Sequence, residues 1–328
     1  MGEIGSFVVV GTGAIAHGFM RAVGDVPGCR VIAVCDLSLD KARRFADRYG
    51  IDLAFDDANA MLDRVSPSCA YIATTVNAHA ALSETCIEHG VGVLCEKVMF
   101  RGSAEAERVF ALSERRRVFA MEAFWSRFLP ANRAARQWIV DGRIGEPVFA
   151  HAQISAYTPD RTNRYYDPSL GGGVAHDLTG YAYGLTDMML GHLGRTPVID
   201  GVHATWSDSG VDTSNRIVMH VGDVWCTLDT TCLTQVDQRL EIGGSNGCSV
   251  VVPNPHFADE ALLYDRNHEV LERFRDDGDV DGHSWQIRES IDMIRRGNVE
   301  SPVVPHAFTM RYAKVCDMVE ATRGERRP

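Results

Sequence analysis

The sequence lacks the patterns that mark membrane-spanning and nucleic-acid-binding proteins. No apolar run is long enough to cross a membrane, and the chain begins with a strand-like run rather than with a charged-then-apolar leader. The densest basic run, Arg115 to Arg117, lies inside a predicted helix, and the net charge is -11. We therefore expect neither nucleic acid nor a membrane as a partner.

Disulfide and metal-binding patterns are also missing. The nine cysteines include no CxxC pair, and Cys35, Cys69 and Cys95 lie in apolar runs, where a free thiol packs as a small hydrophobic group. This distribution favours a reducing compartment, and we expect a cytoplasmic protein. The twelve histidines form no HExxH or other ligand spacing, so we predict no metal site.

The 328 residues are enough for two domains, and the pattern changes near residue 125. In residues 1–124, continuous apolar runs alternate with helical stretches. This alternation predicts a doubly wound parallel sheet, a Rossmann domain with ligands at the carboxyl ends of its strands. In residues 125–328, strands follow one another with little helix between them, which predicts an antiparallel or mixed sheet in an α/β substrate domain. The later runs predicted as strands are VIDGVHATW, NRIVMHV, VWCTLDTTCL, QRLEIGG and CSVVVP.

A glycine turn follows the first predicted strand, in VVVGTGAIAHGFM. Gly11 permits a tight turn, and Gly13 permits close approach of the backbone to a pyrophosphate at the positive end of a helix that begins with Ala14 and Ile15. Ala16, in the third position, still permits close packing of helix on strand. Strand, glycine turn and helix together predict a dinucleotide site.

Asp36 ends the second predicted strand, where a carboxylate accepts hydrogen bonds from the adenosine ribose. Its negative charge would repel a 2′-phosphate. We therefore predict NAD as the cofactor, with NADP left open.

The chain resembles the glucose–fructose oxidoreductase/inositol dehydrogenase/rhizopine catabolism (Gfo/Idh/MocA) family over nearly its whole length. The resemblance rests on VVVGTGAIAHGFM, ATTVNAHAAL, VLCEK, GGGVAHDLTGY and NVESPVVP. The stretch MEAFWSRFLP is similar to the branch that contains dimeric dihydrodiol dehydrogenase and the D-xylose dehydrogenases.

This resemblance implies an N-terminal Rossmann domain and a C-terminal α/β domain with an open, largely antiparallel sheet. In the family the exposed face of that sheet commonly forms a dimer interface, so we expect a homodimer or homotetramer. The implied reaction is hydride transfer between a nicotinamide cofactor and a secondary alcohol or carbonyl of a sugar, an inositol or a cyclic diol.

The family's functional positions can be assigned to residues of this chain. The resemblance implies catalytic roles for Lys97, Asp177 and Tyr181. It implies cofactor contacts at Thr74, Asn77, His79, Glu96 and Lys97, and substrate contacts at Trp125 and Asn163. We add His176 as a substrate candidate that could make an extra polar contact. A packed core histidine is the favoured alternative for His79, and Trp125 could equally be a core residue. His176 departs from the apolar residue usual beside the aspartate.

The chemistry of the three catalytic candidates supports this assignment. Asp177 and Tyr181 are four residues apart in a predicted helix, so we expect them on one face, with Asp177 near the positive helix N-terminus. A tyrosine with a pKa of ~10 needs a nearby cation to act as a base at neutral pH, and Lys97 could supply it. Whether Tyr181 or Lys97 transfers the proton stays open.

Each of these residues also has a structural interpretation. Lys97 could be a solvated strand end, Tyr181 a packing residue and Asp177 an acid in a first helical turn. A catalytically silent nucleotide-binding regulator on the same scaffold is the alternative function. A third alternative keeps the enzyme but changes its substrate to a reactive carbonyl or an amino acid derivative, with Arg127, Arg161 and Arg164 as candidates to bind a carboxylate.

One departure from the family follows Lys97. Proline is usual at the next position, often after a cis peptide bond, whereas this chain has Val98. Since a non-proline cis bond costs ~3 kcal/mol, we predict a trans bond between Lys97 and Val98 and a slightly altered direction of the Lys97 side chain.

Overall fold

The computed structural model describes residues 5–276, 278 and 282–324, which divide into two compact units. Of these residues, the first unit contains 5–125 and 282–310, and the second contains 126–276, 278 and 311–324. The segment 282–310 is thus grouped with the first unit, whereas the sequence division assigns it to the second domain.

The described residues form fourteen strands and nine helices of the α type. The strands are β1 (Gly5–Val10), β2 (Cys29–Cys35), β3 (Ala54–Phe55), β4 (Cys69–Ile72), β5 (Gly92–Glu96), β6 (Ala120–Ala123), β7 (Pro147–Ser155), β8 (Val198–Trp206), β9 (Asp212–Val221), β10 (Val224–Thr231), β11 (Arg239–Gly244), β12 (Ser249–Pro253), β13 (Glu260–Tyr264) and β14 (Val270–Arg275). The helices are α1 (Ala14–Gly24), α2 (Leu39–Tyr49), α3 (Ala58–Arg64), α4 (Val76–Glu88), α5 (Ser103–Arg116), α6 (Pro130–Val140), α7 (Leu178–Leu190), α8 (Gly282–Arg295) and α9 (His306–Ala321).

The first unit contains a six-stranded sheet in the order β3-β2-β1-β4-β5-β6, with every neighbouring pair parallel. Its central strands are buried on both faces, which explains their continuous apolar sequences, such as FVVV in β1 and CAYI in β4. The predicted doubly wound sheet is confirmed. The strand order reverses between β1 and β4, and open sheets of this kind bind ligands at that point, beyond the carboxyl ends of the strands.

Helix α8 packs on α1, which explains why 282–310 belongs to the first unit. The Ser284 hydroxyl donates to the Ala22 carbonyl (3.3 Å), and the Ala120 N–H of β6 donates to the Val299 carbonyl (2.9 Å). These contacts join residues far apart in the chain, so the local sequence pattern contains no sign of them.

The second unit contains an eight-stranded sheet in the order β14-β13-β12-β11-β7-β10-β9-β8. All neighbouring pairs are antiparallel except β7 and β10, so the predicted open, largely antiparallel sheet is confirmed. Helices α6 and α7 cover one face. The sequence interpretation stopped at β12: β13 has only a short apolar run, and β14 is exposed along almost its whole length, so neither shows a clear strand pattern.

Candidate active site

The turn between β1 and α1 has the shape expected of a dinucleotide site. Gly11 has a φ of +94°, and a Cβ there would lie 2.6 Å from the Ala73 carbonyl oxygen, so only glycine fits. Gly13 is the N-cap of α1 and offers no side-chain cap, and the space where its Cβ would lie is open. Ala14 and Ile15 are exposed. The first N–H groups of a helix have no acceptor in a preceding turn, so the exposed start of α1 at Ala14 and Ile15 suits a pyrophosphate.

Asp36 lies directly after β2, and its carboxylate is fixed by three donors. Oδ2 accepts hydrogen bonds from the Thr12 N–H (3.0 Å) and the Thr12 hydroxyl (2.6 Å), and Oδ1 accepts one from the Ser38 N–H (3.1 Å). Partial burial raises the pKa of Asp36, but these hydrogen bonds outweigh it and hold the pKa below its usual value. The carboxylate is therefore ionised and held in place at the carboxyl end of β2, where a ribose is expected.

Three predicted cofactor residues lie at the end of β4 and the start of α4. Thr74 and Asn77 are half-buried, whereas His79 is buried, with 2% of its surface exposed. Its Nδ1 lies 3.0 Å from the Val98 carbonyl oxygen and its Nε2 lies 3.2 Å from the Thr74 carbonyl oxygen. Burial lowers the pKa of His79. Both ring nitrogens contact backbone, which favours the packing alternative over a direct cofactor contact.

Glu96 and Lys97 end β5. The Glu96 side chain is buried and accepts a hydrogen bond from the Tyr71 hydroxyl (2.5 Å) on Oε1 and one from the Lys97 N–H (3.3 Å) on Oε2. Burial raises the pKa of Glu96, although the Tyr71 hydrogen bond and the positive charge of Lys97 oppose the rise. Lys97 itself is half-buried.

The prediction of a trans bond between Lys97 and Val98 is wrong, because this peptide bond is cis. The prediction considered only the local backbone. The fold adds contacts on the far side of the bond: the Val98 side chain is buried, its carbonyl oxygen lies against His79, and the Met99 N–H donates to Glu122 (3.1 Å). Such contacts come from distant parts of the chain and are invisible in the motif.

Trp125 is buried, and its ring stacks on the ring of His283 from α8, with centroids 4.9 Å apart. Within the first unit the indole is thus a packed group. His283 lies close enough to Glu96 for its charge to lower the pKa of that carboxyl group. No local sequence pattern associates His283 with this end of the sheet.

In the second unit, the premise that placed Asp177 and Tyr181 on one helix face is wrong. Helix α7 begins at Leu178, and Asp177 is its N-cap residue, with a φ of -138° and a ψ of -73°, so it lies outside the helix. Its position at the positive end of α7 agrees with the prediction. The Asp177 side chain does not cap the helix.

Asp212 explains why the chain is not helical before Leu178. This buried residue at the start of β9 accepts hydrogen bonds on Oδ2 from the Ala175 N–H (2.7 Å) and the Asn215 side chain (2.7 Å), and its carbonyl accepts one from the Val174 N–H (3.1 Å). Burial raises the pKa of Asp212. It fixes the segment that leads to Asp177. In the sequence it follows SDSGV and resembles an ordinary residue after a turn.

Tyr181 and Asp177 each lie beside an aromatic residue that the sequence did not single out. Tyr181 is buried, and its ring centroid lies 5.1 Å from that of His256. The Tyr165 hydroxyl is buried, and its pKa is raised well above the usual range by burial and then by the negative charge of Asp177. Tyr165 is therefore an unpredicted neighbour of a candidate catalytic residue.

The remaining substrate candidates have different surroundings. Asn163 is exposed, and its side-chain oxygen accepts a hydrogen bond from the Tyr165 N–H (3.0 Å), so its role within the unit is to cap a short turn. His176 is half-buried, and its Nδ1 has no hydrogen-bond partner among the described residues.

The predicted catalytic residues are divided between the units. Lys97 belongs to the first, and Asp177 and Tyr181 belong to the second. Among the described residues, no group of three or more His, Cys, Asp or Glu side chains could hold a metal ion. In the same part of the chain, no helix is long and apolar enough to span a membrane.

Known proteins share this architecture. Human trans-1,2-dihydrobenzene-1,2-diol dehydrogenase is 27% identical to the chain over 327 residues, covering 96% of each. The 3-ketoreductase KijD10 from Actinomadura kijaniata, solved with NADP and TDP-benzene, has a TM-score of 0.85 at 22% identity and covers 96% of this chain and 97% of its own. Levoglucosan dehydrogenase, solved with NADH and levoglucosan, has a TM-score of 0.84 at 16% identity, covering 98% and 97%. At these identities the two structures establish the fold.

Family models match both units. The model of an oxidoreductase family with an NAD-binding Rossmann fold matches residues 6–124, and the model of the GFO/IDH/MocA C-terminal domain matches residues 132–250. The matches span more than half of the chain, and the observed sheet orders and glycine turn agree with them. The chain therefore belongs to the Gfo/Idh/MocA family of NAD-binding oxidoreductases.

Proposed function

We propose that this protein is a dehydrogenase or reductase that transfers a hydride between a nicotinamide cofactor and a secondary alcohol or carbonyl of a cyclic diol, sugar or inositol. The observation that carries the proposal is the open, uncapped N-terminus of α1 at the reversal point of the parallel sheet, next to the fixed carboxylate of Asp36. The similarity to the human diol dehydrogenase over nearly the whole chain supports this substrate class.

The residues of the first unit fit such a cofactor. The Gly13, Ala14 and Ile15 segment would bind the pyrophosphate, and Asp36 would accept a hydrogen bond from the adenosine ribose. Asp36 is ionised because its pKa is held low, and its charge opposes a 2′-phosphate. This supports a preference for NAD over NADP. The cofactor, when bound, supplies or accepts the hydride.

The remaining chemistry is a proton transfer at the substrate oxygen. We assign it to Lys97 and Tyr181, with Asp177 orienting a substrate hydroxyl. Lys97 is half-buried beside Glu96, and its cationic form can polarise a substrate carbonyl. A general acid or base of this type contributes on the order of 100- to 10,000-fold to the rate.

A panel of diols, polyols and sugars, assayed with NAD⁺ and NADP⁺ by the absorbance of the reduced nicotinamide, tests the proposal. We expect turnover of at least one cyclic diol or sugar, with a higher kcat/KM for NAD⁺. Binding of NADH, seen as fluorescence quenching, without turnover of any member would favour the silent regulator instead. A higher kcat/KM with NADP⁺ would contradict the assigned role of Asp36.

The role of Lys97 has its own test. We expect Lys97→Met to lower kcat by ~100-fold or more, since it removes the proton-handling group while keeping the length of the side chain. The dissociation constant for NADH, measured by fluorescence, reports whether the variant still binds the cofactor. Turnover within about threefold of the wild type would exclude this role for Lys97.

We also propose that the protein is a homodimer or homotetramer joined through the open face of the second sheet, and that it is cytoplasmic. The apolar groups on that face support the first proposal: Phe149, Trp225 and Val198 are all exposed. The nine cysteines support the second, because all are unpaired and most are buried.

A further inference from the structure

We propose that His79 and Glu122 are positioning residues that fix the backbone immediately after Lys97 and thereby place the Lys97 amine for proton transfer. The sequence offered His79 only as a cofactor contact or a packed histidine and did not single out Glu122. The inference rests on the proposed catalytic role of Lys97.

The segment from Lys97 to Met99 contacts three separate elements, and its last two residues are buried. On its first residue, the Lys97 N–H donates to Glu96 of β5 (3.3 Å). On the second, the Val98 carbonyl oxygen lies 3.0 Å from Nδ1 of His79 in α4. On the third, the Met99 N–H donates to Oε1 of Glu122 in β6 (3.1 Å). Each consecutive residue thus has its own buried polar partner.

Glu122 is itself held on both carboxylate oxygens. Its side chain is 1% exposed, and while Oε1 accepts from Met99, Oε2 accepts a hydrogen bond from the Thr309 hydroxyl (2.7 Å) near the start of α9. Glu122 also lies opposite Cys95 in the parallel pairing of β5 and β6. A carboxyl group restrained on both oxygens in this way is a rigid acceptor for the Met99 N–H.

His79 connects the turn to the cofactor side of the sheet. Its second ring nitrogen lies 3.2 Å from the carbonyl oxygen of Thr74, which follows β4. Because burial lowers its pKa, the ring is neutral at pH 7 and carries one N–H, so it donates to one of the two carbonyl oxygens at a time. We assign this N–H to Nδ1, so the ring donates to the Val98 carbonyl oxygen, while Nε2 packs against the Thr74 carbonyl.

The position of the backbone at Lys97 matters because the lysine side chain is long and flexible. Its four-carbon stem has many rotamers, so the direction of the amine depends on how firmly the Cα is held. A displacement of about 1 Å at a reacting group can lower the rate ~100-fold. Loss of either partner should therefore lower kcat without a matching loss of cofactor affinity.

Paired substitutions at His79 separate positioning from packing. In His79→Asn the side-chain amide can still donate near the place of Nδ1, towards Val98, whereas in His79→Gln it reaches the place of Nε2, towards Thr74. We expect His79→Gln and His79→Leu to lower kcat by ~10-fold or more, with the Kd of NADH within about threefold of the wild type, and His79→Asn to retain most of the activity. Glu122→Gln keeps an oxygen acceptor for Met99 and should be milder than Glu122→Leu.

A double-mutant cycle with Lys97→Met shows whether the effect passes through the lysine. If His79 acts only by positioning Lys97, His79→Gln causes no further loss of kcat once Lys97 is replaced. If His79→Gln lowered kcat equally in the wild-type and Lys97→Met backgrounds, or lowered it in neither, the proposal would be overturned. His79→Gln preserves size and polarity, so it remains informative if His79→Leu does not fold.

A second readout does not depend on catalysis. The rate at which an amine-reactive acetylating reagent modifies Lys97, followed by mass spectrometry, should change by about threefold or more in His79→Gln and stay near the wild-type rate in His79→Asn. A changed labelling rate together with full activity in Lys97→Met would contradict the catalytic role of Lys97 while upholding its positioning. An unchanged labelling rate in every variant would contradict the positioning.

Discussion

At the scale of single residues, the site depends on carboxylates whose surroundings move their pKa in opposite directions. Burial dominates at Glu96 and Asp212 and raises their pKa, because the ionised form loses its hydration. At Asp36 the burial is partial, and the donors from Thr12 and Ser38 outweigh it. The carboxylate assigned to the ribose is therefore the one whose ionised form is stabilised.

The lowered pKa of Asp36 predicts how it contributes to stability with pH. A folded-state pKa below the unfolded value of ~3.9 stabilises the protein fully at pH values above the unfolded pKa, and this contribution is lost as the pH falls through the folded pKa. We expect Asp36→Asn to lower the free energy of unfolding at pH 7 by on the order of 1 kcal/mol, the scale of a hydrogen bond to a charged group at a partly exposed site.

Urea unfolding of the wild type and of Asp36→Asn between pH 7 and pH 3 checks this prediction. The two proteins should differ most at neutral pH and converge on the acid side of the folded pKa. Asp40→Asn is a matched control, because Asp40 is a nearby acidic residue in the first turn of α2 with no comparable set of donors. If the free energies of unfolding of the wild type and Asp36→Asn differed by the same amount over the whole pH range, the lowered pKa of Asp36 would not contribute to stability.

At the scale of elements, the two glycines of the turn between β1 and α1 have different roles. Gly11 is required by the fold, since its φ is positive and a Cβ would meet the Ala73 carbonyl of the neighbouring strand connection. Gly13 has a φ of -71°, which any residue adopts, and a Cβ there would enter open space. The described residues therefore do not require glycine at that position, and we assign it to close approach of the pyrophosphate.

Alanine substitutions distinguish these two tasks. Gly11→Ala should destabilise the protein by ~2 kcal/mol or more, because strained φ and close contact with backbone cannot both be relieved. Gly13→Ala should leave the free energy of unfolding within ~0.5 kcal/mol of the wild type and raise the Kd of NADH by about tenfold, since its methyl group occupies the space for the pyrophosphate. Chemical denaturation and NADH fluorescence titration measure the two effects. Unchanged NADH affinity in Gly13→Ala would contradict the assignment of this turn.

The elements that could be predicted from sequence are those whose signals are local. The β1 and β4 runs are continuous and apolar because both faces are covered, and the glycine turn has a fixed spacing, so the sheet and its cofactor site were both visible. Asp212 was not, because the two backbone N–H groups that it accepts from, at Val174 and Ala175, lie more than thirty residues away in the chain. The same holds for Glu122 and His79, whose bonds to the turn after Lys97 arise only when three elements pack together.

At the scale of the whole molecule, the open face of the second sheet carries a row of large side chains. Phe149 pairs with Trp225 between β7 and β10, Trp225 pairs with His220 between β10 and β9, and His220 pairs with Val198 between β9 and β8. Trp225 is 58% exposed and Phe149 is 42% exposed, although an isolated sheet face would favour polar groups there. This row is the part of the face on which the proposed subunit interface depends.

Replacing the central member of this row tests the interface. We expect the wild type to sediment as a dimer or tetramer at micromolar concentration and Trp225→Glu to shift it towards the monomer, because paired copies would bury two like charges against apolar groups. Val140→Glu is the matched control: Val140 is 42% exposed but lies at the end of α6, so it adds the same charge away from the sheet face. Sedimentation velocity and light scattering measure the mass, and circular dichroism confirms the fold. A monomeric wild type, or the same mass for the wild type and Trp225→Glu, would exclude this face as the interface.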